Sequence, residues 1–125
     1  MSAETVITAY YDSLRRGDPI HPYFLEDDST VKIGVRGAAY GYENVADSLR
    51  EQTRTTENWT VESHRLAVEE TDDHARFADE VSLAWTDLEA ETRHRFETRW
   101  TGTLVRQNGD WYVATMHVSS PHELR

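Results

Sequence analysis

Residues 93–121, RHRFETRWTGTLVRQNGDWYVATMHVSSP, constrain the fold more than any other stretch. Asn108-Gly109 sits between two alternating runs and supplies the positive-φ residues of a tight turn, so the segment reads as two long paired strands. Before the turn, His94, Phe96, Thr98, Trp100, Gly102 and Leu104 alternate with Arg93, Arg95, Glu97, Arg99 and Thr101. Side chains alternate faces along a strand, which makes one face mostly apolar and the other charged. After the turn, Tyr112, Ala114, Met116 and Val118 take one face, and Trp111, Val113, Thr115 and His117 the other. Strands this long need a sheet around them and a layer of helix over the apolar face. What that face encloses decides the function.

Upstream, residues 3–16 predict a first helix, with Ser2 as cap, Glu4 at its positive end, and Arg15 and Arg16 at its negative end before Gly17. Ile7, Tyr10, Tyr11 and Leu14 fall on one side of it. Asp18-Pro19 predicts a second short helix that carries Tyr23, Phe24 and Leu25 into the core. Residues 30–36 alternate Val31, Ile33 and Val35 with polar residues and predict a strand; residues 37–41, GAAYG, predict a turn. A third helix covers residues 43–53, with Val45, Ala46 and Leu49 facing inward. Residues 59–69 and 75–86 are further strands, and the loop 87–91 leads into the closing hairpin. Strands grouped after helices argue for an α+β domain with a strongly curved antiparallel sheet. Three N-terminal helices over such a sheet make a cone, and a cone encloses a natural ligand pocket. One domain spans residues 1–125.

Charge narrows the partners. Asp and Glu total 23 against 13 Lys and Arg, a formal net charge of -10, and Lys32 is the single lysine. Acidic excess with almost no lysine resembles proteins of salt-accumulating microbes, whose carboxylates hold a hydration shell while salt screens their repulsion. A halophilic source is the expectation, and a basic patch for nucleic acid is excluded. With no cysteine there is neither a disulfide nor a thiolate metal site. No apolar run approaches a membrane span and the start lacks a signal peptide, so a soluble cytoplasmic protein without membrane contact is expected.

Three stretches carry a family likeness. They are Tyr10-Tyr11-Asp12-Ser13-Leu14-Arg15-Arg16-Gly17-Asp18, Gly41-Tyr42-Glu43-Asn44-Val45, and the hairpin from Asn108 through His117-Val118-Ser119-Ser120-Pro121. In this order they resemble the SnoaL-like branch of the nuclear transport factor 2-like superfamily, with its ketosteroid isomerase-like, cystatin-like cone. The hairpin is also similar to the association domain of calcium/calmodulin-dependent kinases. Val118 stands where that domain has an arginine, so its anion pocket is not implied. The superfamily includes isomerases, cyclases, dehydratases, transport factors and oligomerisation hubs, so the resemblance implies a fold and leaves the chemistry to the site.

Asp79 is the catalytic candidate. It falls in the apolar phase of Phe77, Val81, Leu83 and Trp85, so alternation turns its carboxylate inward. A carboxylate facing an apolar cavity has a raised pKa, which suits acid or base work near neutrality. The plainer alternative is an Asp near a strand end, solvated or paired with arginine. His94 shares the inward phase, but pairing centred near residue 89 sets Trp85 against His94 and Asp79 against Trp100, which argues against a dyad. A water-exposed strand-end histidine is the simpler reading of His94. Tyr10, Tyr11 and Tyr40 are candidate oxyanion donors or plain core. The expected ligand-binding wall is Tyr11, Tyr40, Trp59, Trp85, Phe96, Trp100, Met116 and Val118. Trp111, Val113, Thr115, His117, Thr101 and Thr103 form an uncharged outer face suited to a homodimer. Histidines 21, 64, 74, 94, 117 and 122 lack ligand spacing, so no metal is expected, and no cofactor motif occurs. Two classes remain: an acid–base enzyme of the isomerase, cyclase or dehydratase type on a small hydrophobic ligand, and a non-catalytic homodimeric binding or assembly module.

Overall fold

The computed structural model describes residues 1–121 and 123–124; His122 lies outside the described residues. Helix α1 (Ala3–Arg16) starts where Ser2 Oγ accepts the Thr5 amide at 3.1 Å and stops at Gly17, whose φ of 74° lets its N–H reach the Leu14 carbonyl. A Cβ at Gly17 meets no neighbour, so Gly17→Ala tests the backbone conformation alone. It is expected to cost about 1 kcal/mol in a denaturant titration. Helix α2 (Tyr42–Thr55) buries Val45, Ala46 and Leu49.

Among the described residues there are two α-helices, not three. The expected second helix is a single 3-10 turn, His21–Tyr23. Pro19 and Pro22 remove backbone donors there, and the chain is instead drawn into extended contact with the sheet: Phe24 bridges Val113, and the Leu25 amide donates to the Val113 carbonyl at 2.9 Å.

The strands are β1 (Val31–Ile33), β2 (Ala38–Tyr40), β3 (Thr56–Ser63), β4 (Ala67–Glu70), β5 (His74–Asp87), β6 (Thr92–Gln107), β7 (Asp110–Ser119) and β8 (Glu123–Leu124). They order as β2-β1-β7-β6-β5-β3, with β4 also on β5 and β8 on β6. The sheet is mixed, not purely antiparallel, because β1 fills the open edge of β7 in the parallel sense. Residues 34–109 separate those two strands, the long connection that parallel pairing requires. The expected turn at residues 37–41 holds β2, and the expected strand 59–69 divides into β3 and β4. Asn108 (φ 53°) and Gly109 (φ 85°) make the two-residue turn of the β6–β7 hairpin.

Register places the inner face. Trp85 pairs with His94 and Asp79 with Trp100, as a loop centred near residue 89 requires. On β7 the pairing jumps from Leu104–Val113 to Thr103–Thr115, so Ala114 is a bulge residue. The bulge reverses the alternation: Trp111 and Val113 are buried, together with Met116 and Val118 beyond it. Trp111 and Val113 therefore leave the outer face to which strict alternation assigns them. Trp111 lies under the Arg106 guanidinium at 4.7 Å. The core sits between α1 and the concave face, where Tyr10 and Tyr11 meet Trp100 edge-on at 6.0 and 5.3 Å.

Candidate functional site

Asp79 points inward and is 4% exposed, yet every donor around it is already committed to it. Tyr11 Oη donates to Oδ2 at 2.8 Å, Ser63 Oγ donates to the same oxygen at 2.5 Å, and the Arg65 amide donates to Oδ1 at 2.9 Å. Burial, and then the bond to Asp79, push the Tyr11 phenol well above its usual range, which keeps it a donor. The carboxylate thus ties α1 and the end of β3 to β5. Asp79 and His94 pair with residues six positions apart on the same two strands, about 20 Å along the sheet, so they form no dyad.

The cone's cavity lies elsewhere, toward the wide end between α2 and the β1–β2 turn. It holds about 400 Å³, within the range of small-molecule sites. Trp59, Trp85 and Trp100 wall it, with Leu83, Val118, Leu14 and Tyr10 beneath. Trp85 is sandwiched between Trp59 at 4.7 Å and Phe96 at 5.3 Å, both nearly parallel, which fixes the wall. Trp59 is held by its indole N–H, which donates to Thr56 Oγ1 at 2.8 Å.

Two cations, Lys32 and Arg36, line this space together with two carboxylates, Glu51 and Asp87. Lys32 pairs across β1–β7 with the buried Met116, which places it on the concave side, since paired residues share a face. Burial lowers the Lys32 pKa from 10.5 to about 8. Arg36 lies 3.1 Å from His94 Nδ1 and 6.0 Å from the Trp85 ring. His94 is buried at 9% exposure, not the water-exposed residue expected. The Tyr10 phenol is pushed up by burial, and its hydroxyl has no hydrogen-bond partner among the described residues.

The Lys32 shift carries a pH prediction. The fold disfavours the ammonium, so between pH 8 and 10.5 the unfolded chain binds the proton more readily than the folded one. Stability contributed by this group therefore rises with pH across that window. The buried Tyr10 and Tyr11 oppose it above about pH 10, where unfolded tyrosines ionise. The Lys32→Met variant should unfold at higher denaturant than the parent at pH 7, with the gap closing toward pH 10. A gap independent of pH would contradict the assignment.

Of the expected wall, Trp59, Trp85, Trp100 and Val118 line the cavity. Tyr11 and Phe96 are buried behind it, and Met116 lies in the sheet row below Lys32. Tyr40 is 63% exposed and faces away, because β2 is an edge strand whose middle residue, Ala39, turns to the cavity instead. Lys32 and Arg36 were missed. The chain's lone lysine inside a predicted strand was the available signal, and the hydrophobic alternation of Val31 and Ile33 concealed it. Those two residues pair with Thr115 and His117 on the convex face. There, with Thr101 and Thr103, they border a groove of about 660 Å³. Among the described residues no cluster of His, Asp and Glu could hold a metal ion. None of the described helices is long and apolar enough to cross a membrane.

The fold recurs in solved structures. A nuclear transport factor 2-like superfamily protein of Salmonella enterica matches with a TM-score of 0.80 at 18% identity, covering 97% of this chain and 94% of that one. A ketosteroid isomerase-like protein of Erwinia carotovora matches at 0.76 and 18%, covering 95% and 93%. A hexachlorocyclohexane dehydrochlorinase matches at 0.77 and 12%, covering 97% and 84%. These identities establish a shared fold alone. No curated protein sequence matches the chain. The SnoaL-like domain profile matches residues 3–123, nearly the full length, and the chain belongs to the SnoaL-like domain family.

Proposed function

We propose that this SnoaL-like chain is a small-molecule pocket protein that takes a hydrophobic ligand bearing one oxygen-rich polar end. The observation that carries the reading is the cavity of about 400 Å³ in which three tryptophans meet two cations, Lys32 and Arg36. Apolar walls with a few convergent polar groups are what small-molecule sites are made of. Similarity to a ketosteroid isomerase-like protein and to a dehydrochlorinase is compatible with an enzyme of the isomerase, cyclase or dehydratase kind. Any such chemistry would rest on the cavity groups, because Asp79 does not line the cavity.

A thermal-shift screen in molar salt against hydrophobic ketones and carboxylic acids tests this. A ligand at 100 times its Kd stabilises the native state by about 2.7 kcal/mol. It should also quench tryptophan fluorescence, and Trp85→Ala should weaken binding about tenfold or more, the usual consequence of removing a buried aromatic anchor. A panel that moves neither the melting temperature nor the fluorescence would refute the reading.

The convex groove favours a second, compatible reading, a homodimer through the outer face. Thr103 and Thr115 satisfy each other at 2.7 Å, and Arg76 donates to Glu69 at 2.7 Å, so that groove presents neither an unpaired hydroxyl nor an unpaired charge at these residues. Thr103→Arg should convert the dimer to monomer in sedimentation; a parent that sediments as monomer at all concentrations rejects it. The net charge of -10 with one lysine further supports a high-salt origin. Stability that falls as potassium chloride rises toward molar concentrations would count against that origin.

A further inference from the structure

We propose that Lys32 is a covalent binding site, where its ε-amine captures the carbonyl carbon of a hydrophobic aldehyde or ketone as a Schiff base. This rests on the small-molecule reading of the cavity and names the ligand class. Lys32 is half-buried, lines the cavity beside Trp85 and Trp100, and is the chain's single lysine. Its ammonium nitrogen lies over Gly34, where a Cβ would come within 3.2 Å, so the missing side chain leaves room for it. Among the described residues no carboxylate and no hydrogen-bond acceptor contacts that nitrogen. The cavity's own acids are engaged elsewhere: Glu51 pairs with Arg54, and Asp87 accepts the Glu89 and Ala90 amides at 3.0 Å. Arg36 is the other cation facing the space, and Tyr10 the other titratable group. An amine without a counter-ion in an apolar site spends a large share of its time neutral, and the neutral form is the nucleophile. Burial brings Lys32 to that condition near pH 8.

In the step itself, the amine nitrogen bonds to the carbonyl carbon as the C=O π bond opens. A proton passes from nitrogen to oxygen and gives a carbinolamine. The C–O bond then breaks, and the oxygen leaves as water with one further proton from solvent. A protonated imine remains, and nothing is oxidised or reduced. The Tyr10 hydroxyl, unpartnered on the same cavity, is suited to donate a hydrogen bond to the departing oxygen.

The test uses benzaldehyde as the carbonyl probe at pH 8, sodium borohydride to trap the imine, and peptide mapping to separate Lys32 from the Met1 amine. Benzyl alcohol, which cannot form an imine, reports plain cavity binding through tryptophan fluorescence in the parent. The expected result is a trapped adduct on Lys32 that forms at least about tenfold faster in folded than in urea-unfolded protein, in the direction set by the larger neutral fraction. Benzyl alcohol should bind the folded parent. If the alcohol binds but Lys32 carries no adduct, or the adduct forms as fast in urea, the covalent proposal fails and the pocket stands. If the alcohol does not bind, the reading of the cavity fails and this inference with it.

Discussion

Asp79→Ala is expected to lower the unfolding free energy by about 3 kcal/mol, roughly 10 °C in Tm, while molecules that remain folded keep their ligand response. The carboxylate accepts from Tyr11, Ser63 and the Arg65 amide. Ser63 and Arg65 are exposed residues and can turn to water when it is lost, but Tyr11 is 2% exposed and its hydroxyl cannot. A buried donor left unpaired costs more than the bond it replaced. Asp79→Asn should be milder, about 1 kcal/mol. Its amide oxygen can still take the Arg65 N–H, and the two hydroxyls can rotate to accept from its NH₂ group. A double-mutant cycle with Tyr11→Phe should show coupling, since the two side chains share one bond. A catalytic Asp79 predicts the reverse pattern: small stability changes, with turnover lost equally in Ala and Asn. An Asp79→Ala variant as stable as the parent would sink the structural assignment.

The parts of this fold that were legible in the sequence are those decided by neighbouring residues. Ser2 and Gly17 mark both ends of α1, and Asn108-Gly109 marks the hairpin, because each supplies a local hydrogen bond or a positive φ. Alternation along β5 and β6 then placed Asp79, Trp85 and Trp100 inward and set their register. What escaped depends on distant partners. A single extra residue, Ala114, reverses the face of Trp111 and Val113, and nothing in the composition of β7 announces it. Asp18-Pro19 signals the start of a helix, but β7 draws Phe24 and Leu25 into extended contact. Lys32 escaped for a related reason. The apolar phase of β1 faces the convex groove, so the residue that enters the cavity is the polar one between. Whether Asp79 faced a cavity or a ring of donors was likewise undecidable from alternation, which gives direction and not company.

Gly102→Ala is expected to cost about 3 kcal/mol and Gly102→Val more, by overpacking and not by backbone conformation. A Cβ at this position would stand 2.4 Å from the Thr115 carbonyl oxygen and 2.6 Å from Phe77 Cε1. The carbonyl belongs to the neighbouring strand and cannot move without opening β6 from β7. The Phe77 ring is 3% exposed, and a side chain at Gly102 would push it from its place in the core. Glycine in a strand marks such an approach. One cross-strand row links it to the cavity, since Phe77 pairs with Gly102, Gly102 with Met116, and Met116 with Lys32. A side chain at Gly102 therefore pushes on β7 and, through Met116, on the strand that presents the amine. Phe77→Leu should recover part of the loss in Gly102→Ala by freeing the ring's space, but not the part due to the Thr115 oxygen, so the pair should be non-additive. Denaturant titrations of the two single variants and the double measure this. A Gly102→Ala variant within about 0.5 kcal/mol of the parent, the range of an unremarkable surface change, would contradict the close packing of this row.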